Sequence, residues 1–477
     1  MEKQKKMKLD QRCLEIINRN ESLNSLFDEV SAIHKEAEEH YKIKILSTIS
    51  KKQKEHFELQ WLFFAYLFSL LEDIHRYSYL ALCEVALYEK RLEEKEDRSF
   101  FSSRYFLSNA SVHIIGAWER TFRLSGILYG HDFTKGTQIK KIYQELKKKD
   151  EFKDTEVFLQ FKKLREDSNH LPDIEDFRKG NDHGLSSHVK FEKDDDLKKL
   201  ANSCYENGRA LYEIIQFYIF RFQNECFLRR SEIDLRNFGW DLKIDPAKLD
   251  AITSIEFKRE LLPARIHRCR EYITGYINAF LAIAQKTGPF LTKYDENSIY
   301  ILQHSDVIWR LSEANNSLGY AYSLMTKAVK KNKELNELEI YYRNMDYAYY
   351  IESAISRIYS VYDKIAILLH IHTGEGGRSN TFEQFIKRIT DENLKNELLA
   401  IAKNIFEREE YQELNQLRQI NFHYIVKENF IHIVDREWSH SYNMVMASKN
   451  IEILEPLITK IMDYYLDDPV GMKMNNQ

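Results

Sequence analysis

The sequence predicts an all-α protein with more than one domain, and three observations support this. The chain has 477 residues, about three times a typical domain length. Hydrophobic residues make up 43% of the chain and aromatic residues 13%, which is enough to build large cores. Gly (15) and Pro (6) together are about 4% of the chain, where average usage gives roughly 12%. Because β-sandwiches, barrels and βαβ folds need many turns rich in those two residues, the deficit argues against them.

Charge and cysteine usage narrow the functions that this chain can have. Lys and Arg number 70 against 74 Asp and Glu, so the net charge is −4. The protein therefore has no overall positive field that would attract nucleic acid, and an RNA ligand would need a local binding site. The five cysteines form no Cys-x-x-Cys pair, so we expect no bound metal. The sequence also has no glycine-rich nucleotide-binding motif, so we expect no cofactor. The most apolar run, 59–71, has 13 residues, where a membrane-spanning helix needs about 20. The first residues lack the apolar segment of a signal peptide, so we expect a cytoplasmic protein without a membrane partner.

Apolar residues at helical spacing predict the helices in chain order. The first half is predicted to contain an amphipathic helix over 8–50, apolar helices over about 57–95 and 99–128, Lys-rich helical stretches over 136–152 and 155–171 that end near Pro172, a polar loop at 179–196 and a helix over 197–229. The second half is predicted to contain helices near 264–286, 298–331, 334–372, 381–406, 408–426 and 440–467, with a small strand or irregular turn at 430–438.

These elements predict an organisation in four parts. An N-terminal helical extension covers 1–55, a first helical bundle 56–230, a proline-containing linker 231–263 and a second helical bundle 264–477. We expect the two bundles to pack together as an intramolecular pseudo-dimer.

An internal repeat is the most informative feature of the chain. Residues 104–130 match residues 348–374 at a constant offset of 244, with apolar positions in register. The triplet Trp-Glu-Arg at 118–120 falls on Tyr-Asp-Lys at 362–364, which is an aromatic, an acid and a base in the same order. A glycine ends both segments, as expected after a helix C-terminus. The repeat therefore predicts duplicated helical bundles.

Each half carries a short Leu-Arg-x4-His sequence downstream of the repeated helix. It contains Arg165 and His170 in the first half, and Arg418 and His423 in the second. The arginine follows the terminating glycine by 35 residues in the first half and by 44 in the second. A third Arg-x4-His pair, at 178–183, lies in the loop rich in Gly and Asn, and we expect no functional role for it. An isolated pair is more often structural, with the arginine in a salt bridge and the histidine packed in the core, so the functional interpretation depends on the repeat.

The second motif resembles that of the HEPN superfamily of helical-bundle proteins. The hallmark of that family is Arg-x4–6-His, commonly with Asn, Gln or His after the arginine. Arg418 is followed by Gln419 and fits this fuller pattern, whereas Arg165 is followed by Glu166 and departs from it. The resemblance covers residues 334–467 and, with less specific motifs, residues 98–229.

The resemblance implies a metal-independent ribonuclease site formed where two such domains meet. A neutral histidine takes the proton of an RNA 2′-hydroxyl, and a protonated histidine supplies one to the leaving 5′-oxygen, since the imidazole pKa is about 6.5. An arginine donates a bidentate fork to the oxygens of the phosphorane, and the products carry a 2′,3′-cyclic phosphate and a 5′-hydroxyl. Positions i and i+5 of a helix lie roughly 140° apart, so the site has to be a composite of both motifs. The implied catalytic residues are Arg165, His170, Arg418 and His423.

Five further residues are expected to support the catalytic four. Glu119 and Asp363 occupy matching positions of the repeat and would orient an arginine or bind a 2′-hydroxyl, although a polar contact at the domain interface is the favoured interpretation. The other three belong to the motifs themselves: Asn169, Gln419 and Asn421.

The expected partner is single-stranded or loop RNA, with a homodimer or a protein regulator as further candidates. The resemblance also suggests a role in prokaryotic defence, toxin action or stress response. Two alternatives stay open: a catalytically silent HEPN-like module that binds RNA, a nucleotide or a protein, and an all-helical scaffold. Glu166 favours a silent first motif, because its negative charge is beside the position that a phosphate should occupy.

Overall fold

The computed structural model describes residues 51–93, 101–129, 139–183, 194–224, 261–287, 296–326, 347–377, 381–423 and 436–467. These residues form helices joined by turns, and no strand occurs among them, which confirms the all-α prediction. Within the same ranges, no helix has both the length and the apolar run that crossing a bilayer requires. The predicted helix over 8–50, most of the predicted linker and most of the 430–438 segment lie outside the described residues.

The helices are numbered here in chain order. Those of the first half are α1 (Lys51–Glu93), α2 (Ser103–Leu128), α3 (Ile139–Leu146), α4 (Asp150–Lys153), α5 (Glu156–Lys162), followed directly by a π-helical turn (Lys163–Asp167), then α6 (His170–His183) and α7 (Asp194–Asn224). Those of the second half are α8 (Leu262–Thr287), α9 (Glu296–Met325), α10 (Tyr347–Thr373), α11 (Phe382–Lys387), a 3₁₀ turn (Asn393–Lys395), α12 (Glu397–Glu407), α13 (Glu409–His423) and α14 (Arg436–Asp467).

The chain around Pro172 differs from the prediction. Instead of a helix that ends there, the π-helical turn closes at Asp167, Asn169 adopts a left-handed φ of 58°, and α6 begins at His170. Proline fits the first turn of a helix because the backbone N–H groups there have no partner within the helix. Helix α6 then continues to His183, into the stretch predicted to be a polar loop.

Short polar side chains also divide the predicted helix over 381–406 into α11 and α12. The side-chain oxygen of Asn393 accepts a hydrogen bond from the Thr390 N–H at 2.9 Å. The side-chain oxygen of Asn396 accepts one from the Leu398 N–H at 3.0 Å and so caps the start of α12. Such local bonds compete with the helical hydrogen bonds of the backbone and interrupt the helix.

The end of α10 agrees with the predicted glycine terminator. Gly374 has a φ of 70°, a conformation that glycine adopts without steric cost, and its N–H donates to the His370 carbonyl at 2.9 Å.

The helices of the two halves pack in the same pattern. Helix α1 lies against α2 and α7, as α9 lies against α10 and α14. Helix α6 packs on α2 and α7, as α13 packs on α10 and α14. Two of these helices also reach the other half, since α6 contacts α10 and α13 contacts α2. The buried apolar side chains form one cluster that runs through both halves.

The aromatic residue of the repeated triplet makes the same contact in each half. Trp118 donates its indole N–H to the side-chain oxygen of Asn207 at 2.9 Å, and Tyr362 donates its hydroxyl to that of Asn450 at 2.7 Å. Both asparagines belong to the last helix of their half, α7 and α14. A repeat found in the sequence is therefore also a repeat of buried hydrogen bonds.

The basic residue of the triplet is likewise buried in both halves. The side chains of Arg120 and Asp73 are completely buried, with Nε and Oδ2 3.0 Å apart. Lys364 and Asp306 are also completely buried, with Nζ and Oδ2 3.5 Å apart. The carboxylate comes from the neighbouring helix each time, α1 or α9, because a buried cation needs a paired anion.

A buried arginine connects the two halves. Arg357 of α10 donates from Nε to Oε2 of Glu313 at 2.8 Å and from a terminal nitrogen to the side-chain oxygen of Asn109 at 2.9 Å. Its guanidinium carbon lies 4.0 Å from the centre of the Tyr105 ring. Asn109 and Tyr105 belong to α2, so one side chain fixes how α2, α9 and α10 lie against each other.

A histidine takes the corresponding position in the first half. At the offset of 244, His113 matches Arg357, and its Nδ1 lies 2.8 Å from Oε2 of Glu84. Tyr349 of the second half donates to the other oxygen of Glu84 at 2.8 Å. Burial raises the pKa of Glu84, and the contacts with His113 and Tyr349 oppose that rise. Each half thus pairs its own glutamate, Glu84 or Glu313, with a basic residue on its repeated helix.

Replacing Arg357 with methionine should destabilise the protein by about 3–5 kcal/mol, because the carboxylate of Glu313 then stays buried without its cation. Urea unfolding followed by circular dichroism measures the change. The double variant Arg357→Met/Glu313→Gln removes both charges and should recover most of the loss. A single variant that loses no more than a surface substitution, about 0.5 kcal/mol, would contradict this account.

A second buried histidine couples stability to pH. The hydroxyl of Tyr276 and Nδ1 of His304 lie 2.5 Å apart between α8 and α9. Burial, with a smaller effect of His372, lowers the pKa of His304 to about 3. The native state therefore keeps this histidine neutral, whereas the unfolded chain takes up a proton near the ordinary pKa of about 6.5. Its contribution to stability is complete above about pH 6.5 and is lost as the pH falls towards 3.

Replacing His304 with glutamine should lower the slope of unfolding free energy against pH by about one proton between pH 6.5 and 4.5. In the parent protein this single group should account for a loss of about 2 kcal/mol over that interval. Urea unfolding at half-unit steps of pH measures the slope. The control His267→Gln removes an exposed histidine of α8 (side chain 67% exposed). Equal slopes for the His304→Gln variant and the parent would contradict the prediction.

Candidate functional site

A pocket lies where the two halves meet. It holds about 290 Å³ of empty space, a figure that includes the open solvent at its mouth. Val112 and Ser356, which line it from α2 and α10, are matching positions of the repeat at the offset of 244. The pocket therefore lies between the two copies of the repeated helix. Its lining consists of Val112, Arg178, Ser356, Tyr359, Ser360, Asp363 and Arg418.

Arg418 reaches the pocket from α13 in the second half. The preceding residue, Leu417, is buried and anchors this turn of the helix in the core. The guanidinium carbon of Arg418 lies 4.4 Å from the centre of the Tyr359 ring, close enough for a cation–π contact. The prediction of a functional residue at position 418 is therefore consistent with its location at a pocket, and its chemistry remains a prediction.

Arg178 reaches the same pocket from α6 in the first half. The sequence predicts no functional role for this arginine, because it precedes a stretch rich in polar residues and glycine. Helix α6 ends at His183 as α13 ends at His423, so both pocket arginines stand five residues before the last residue of their helix. The structure thus makes Arg178, on the helix that packs like α13, the counterpart of Arg418.

Two sequence signals point to the same counterpart. Residues 178–183 and 418–423 both read Arg-x-x-Asn-x-His, whereas residues 165–170 have their asparagine one position later. The arginine follows the terminating glycine by 48 residues for Arg178 and by 44 for Arg418, so the spacings differ by four rather than nine. The Leu-Arg-x4-His pattern does not identify this counterpart, because its leucine indicates only that one face of the helix is buried.

The structure does not bring Arg165 and His170 to this pocket, since neither belongs to its described lining. Arg165 lies in the π-helical turn, where it donates to Oε1 of Glu175 at 2.6 Å. His170 begins the next helix, with Nδ1 3.0 Å from the Ser203 hydroxyl oxygen. The expectation that both residues share one helical stretch is wrong, because the exposed Asn169 with its left-handed φ separates them.

The two acids at matching positions of the repeat have different surroundings. Asp363 is buried at the pocket, and its Oδ1 accepts a hydrogen bond from the backbone N–H of Phe382 at 2.9 Å, where α11 begins. Glu119 is only partly buried and does not belong to the described lining. Of the pair, only Asp363 therefore occupies a position from which it can act on the contents of the pocket.

The described lining carries two guanidinium groups and one carboxylate, so its charge favours an anion. Serine hydroxyls at positions 356 and 360 add neutral hydrogen-bonding groups from α10. Two arginines that approach from different helices can hold a phosphate from two sides, since each offers a planar fork of N–H donors. The side chains of His183, His423, Gln419 and Asn421 lie outside those that the structure describes.

Among the described residues, no group of three or more His, Cys, Asp or Glu side chains is arranged to bind a metal ion.

Comparisons with protein-family models, with curated proteins and with solved structures find no match to the chain. What the site can do chemically is therefore inferred from its own side chains.

Proposed function

We propose that this protein is a metal-independent endoribonuclease whose site combines the pairs Arg178–His183 and Arg418–His423. One observation carries the proposal: a single pocket between the halves is lined by an arginine from each of two corresponding helices. Each of those helices has a histidine as its last residue. The resemblance of residues 418–423 to the HEPN motif supports the same assignment.

Each of the two histidines carries out one proton transfer of the reaction. One of His183 and His423 takes the proton of the 2′-hydroxyl, whose oxygen attacks the adjacent phosphorus. The P–O5′ bond breaks, and the other histidine, protonated at the start, gives its proton to the leaving 5′-oxygen. The phosphate becomes a 2′,3′-cyclic diester and the downstream fragment begins with a 5′-hydroxyl. No outside reactant enters, because the proton taken by one imidazole balances the proton given by the other.

The two arginines supply the electrostatic part of catalysis. Negative charge grows on the non-bridging oxygens as the phosphorane forms, and donors already aimed at that point stabilise it without further reorganisation. Arg178 and Arg418 approach the pocket from the two halves, so one can hold each non-bridging oxygen. A single strand or loop can present one phosphate with its flanking sugars to a site between helices more easily than a duplex can.

A second candidate is a silent module that binds RNA, a nucleotide or a protein partner without cleaving it. The carboxylate of Asp363 favours this alternative, because it lines the pocket beside the position that a phosphate would take. A role in prokaryotic defence, toxin action or stress response, and a protein regulator or homodimer, belong to the HEPN resemblance and stay part of the proposal.

The test is cleavage of end-labelled single-stranded RNA in EDTA by the parent protein and four alanine variants. Arg178→Ala and Arg418→Ala should each slow cleavage about 10²- to 10³-fold, as removal of a transition-state donor does. His423→Ala should slow it about 10²- to 10⁴-fold through loss of proton transfer. The matched control Arg165→Ala removes an arginine of the same spacing pattern that pairs with Glu175, and it should cleave like the parent. Fragments should carry a 2′,3′-cyclic phosphate.

The variants also separate the alternatives. Loss of cleavage in Arg165→Ala together with normal cleavage in Arg178→Ala would indicate that the site combines the two Leu-Arg-x4-His motifs instead. Persistent cleavage in both Arg418→Ala and His423→Ala would remove the nuclease assignment. A parent protein that binds RNA but does not cut it would favour the silent module.

A further inference from the structure

The aromatic ring of Tyr359 forms the surface on which Arg418 lies. Tyr359 is only 6% exposed, and the guanidinium carbon of Arg418 is 4.4 Å from its ring centre. Burial raises the pKa of Tyr359 and the charge of Arg418 opposes that rise, so the phenol stays neutral at physiological pH. A neutral ring offers the negative face of its π system, which attracts the flat and weakly hydrated guanidinium group.

A contact of this kind uses a different part of the guanidinium from the one that binds an anion. The cation–π interaction uses the flat face of the guanidinium, whereas its five N–H donors lie in the plane of the group. The ring thus restricts the orientation of Arg418 without occupying the donors that a phosphate needs. Ordering a flexible side chain before the ligand arrives lowers the entropy lost on binding.

The matching position in the first half has no such ring. Tyr359 corresponds to Ile115 at the offset of 244, and Ile115 is buried but aliphatic. The next position differs in the same direction, since Ser360 corresponds to Gly116. At these two positions α10 therefore carries an aromatic and a polar side chain, while α2 carries neither. The two sides of the pocket therefore have the same helix packing but different side chains at these positions.

We infer that Tyr359 is a positioning residue that fixes the guanidinium of Arg418 as the phosphate-holding group of the pocket, a role that position 115 cannot give to Arg178. The inference rests on the proposed ribonuclease function and names a residue that acts on the substrate only through Arg418. It follows that the two arginines are not equivalent: Arg418 is held in place before RNA binds, and its contribution depends on an aromatic side chain at position 359.

The test compares Tyr359→Leu with Tyr359→Phe in single-turnover cleavage of RNA. Tyr359→Leu removes the ring and should slow cleavage about 5- to 30-fold, which corresponds to about 1–2 kcal/mol of lost cation–π interaction. Tyr359→Phe keeps the ring and should cleave within about twofold of the parent, because the hydroxyl plays no part in the contact. Ile115→Leu is the matched control at the corresponding position of the first half, and it should leave the rate unchanged.

A double-mutant cycle shows whether Tyr359 acts through Arg418. In the Arg418→Ala background, Tyr359→Leu should cause no further loss of cleavage or of affinity for non-cleavable 2′-O-methyl RNA. Thermal unfolding of each variant separates this effect from a general loss of stability. Additive losses in the cycle, or equal losses in Tyr359→Leu and Tyr359→Phe, would overturn the positioning role and leave the nuclease proposal intact. A parent protein that neither binds nor cuts RNA would overturn both.

Discussion

The structure depends above all on the buried ionic contact of Arg357. A guanidinium deprived of water carries a large desolvation penalty unless its donors are satisfied, and here Glu313 and Asn109 accept from it while the Tyr105 ring covers one face. Because Arg357 and these partners belong to three helices of two halves, the penalty is offset only when α2, α9 and α10 take one mutual arrangement. Apolar packing alone would allow neighbouring arrangements, since it has no comparable directionality.

This arrangement also sets the geometry of the pocket. Ser353 of α10 lies within hydrogen-bonding distance of Tyr105 and Asn109 of α2, at 2.9 and 3.3 Å. Helical spacing then puts Ser356 and Tyr359 one and two turns further along the same helix, at the wall of the pocket. The polar network and the candidate site are therefore successive turns of the same helix, and a change in one alters the position of the other.

Duplication has preserved the packing of the two halves and changed the chemistry at individual positions. The aromatic and basic residues of the repeated triplet keep equivalent buried partners in both halves. One turn earlier the pairs diverge, with His113 matching Arg357 and Ile115 matching Tyr359. A guanidinium in one half has an imidazole as its match in the other, so the two halves differ in side-chain chemistry while sharing a fold.

The sequence by itself determined the all-α class, most helix bounds and the repeat, because composition, apolar spacing and glycine terminators act over a few residues. It also singled out Arg418. Only the tertiary structure decided which arginine of the first half faces it. A π-helical turn and a left-handed Asn169 separate Arg165 from His170, whereas α6 carries Arg178 to the pocket. That choice depends on how α6 packs across the halves, a contact between residues far apart in the chain, and the short Arg-x-x-Asn-x-His pattern shared by 178–183 and 418–423 does not decide it by itself.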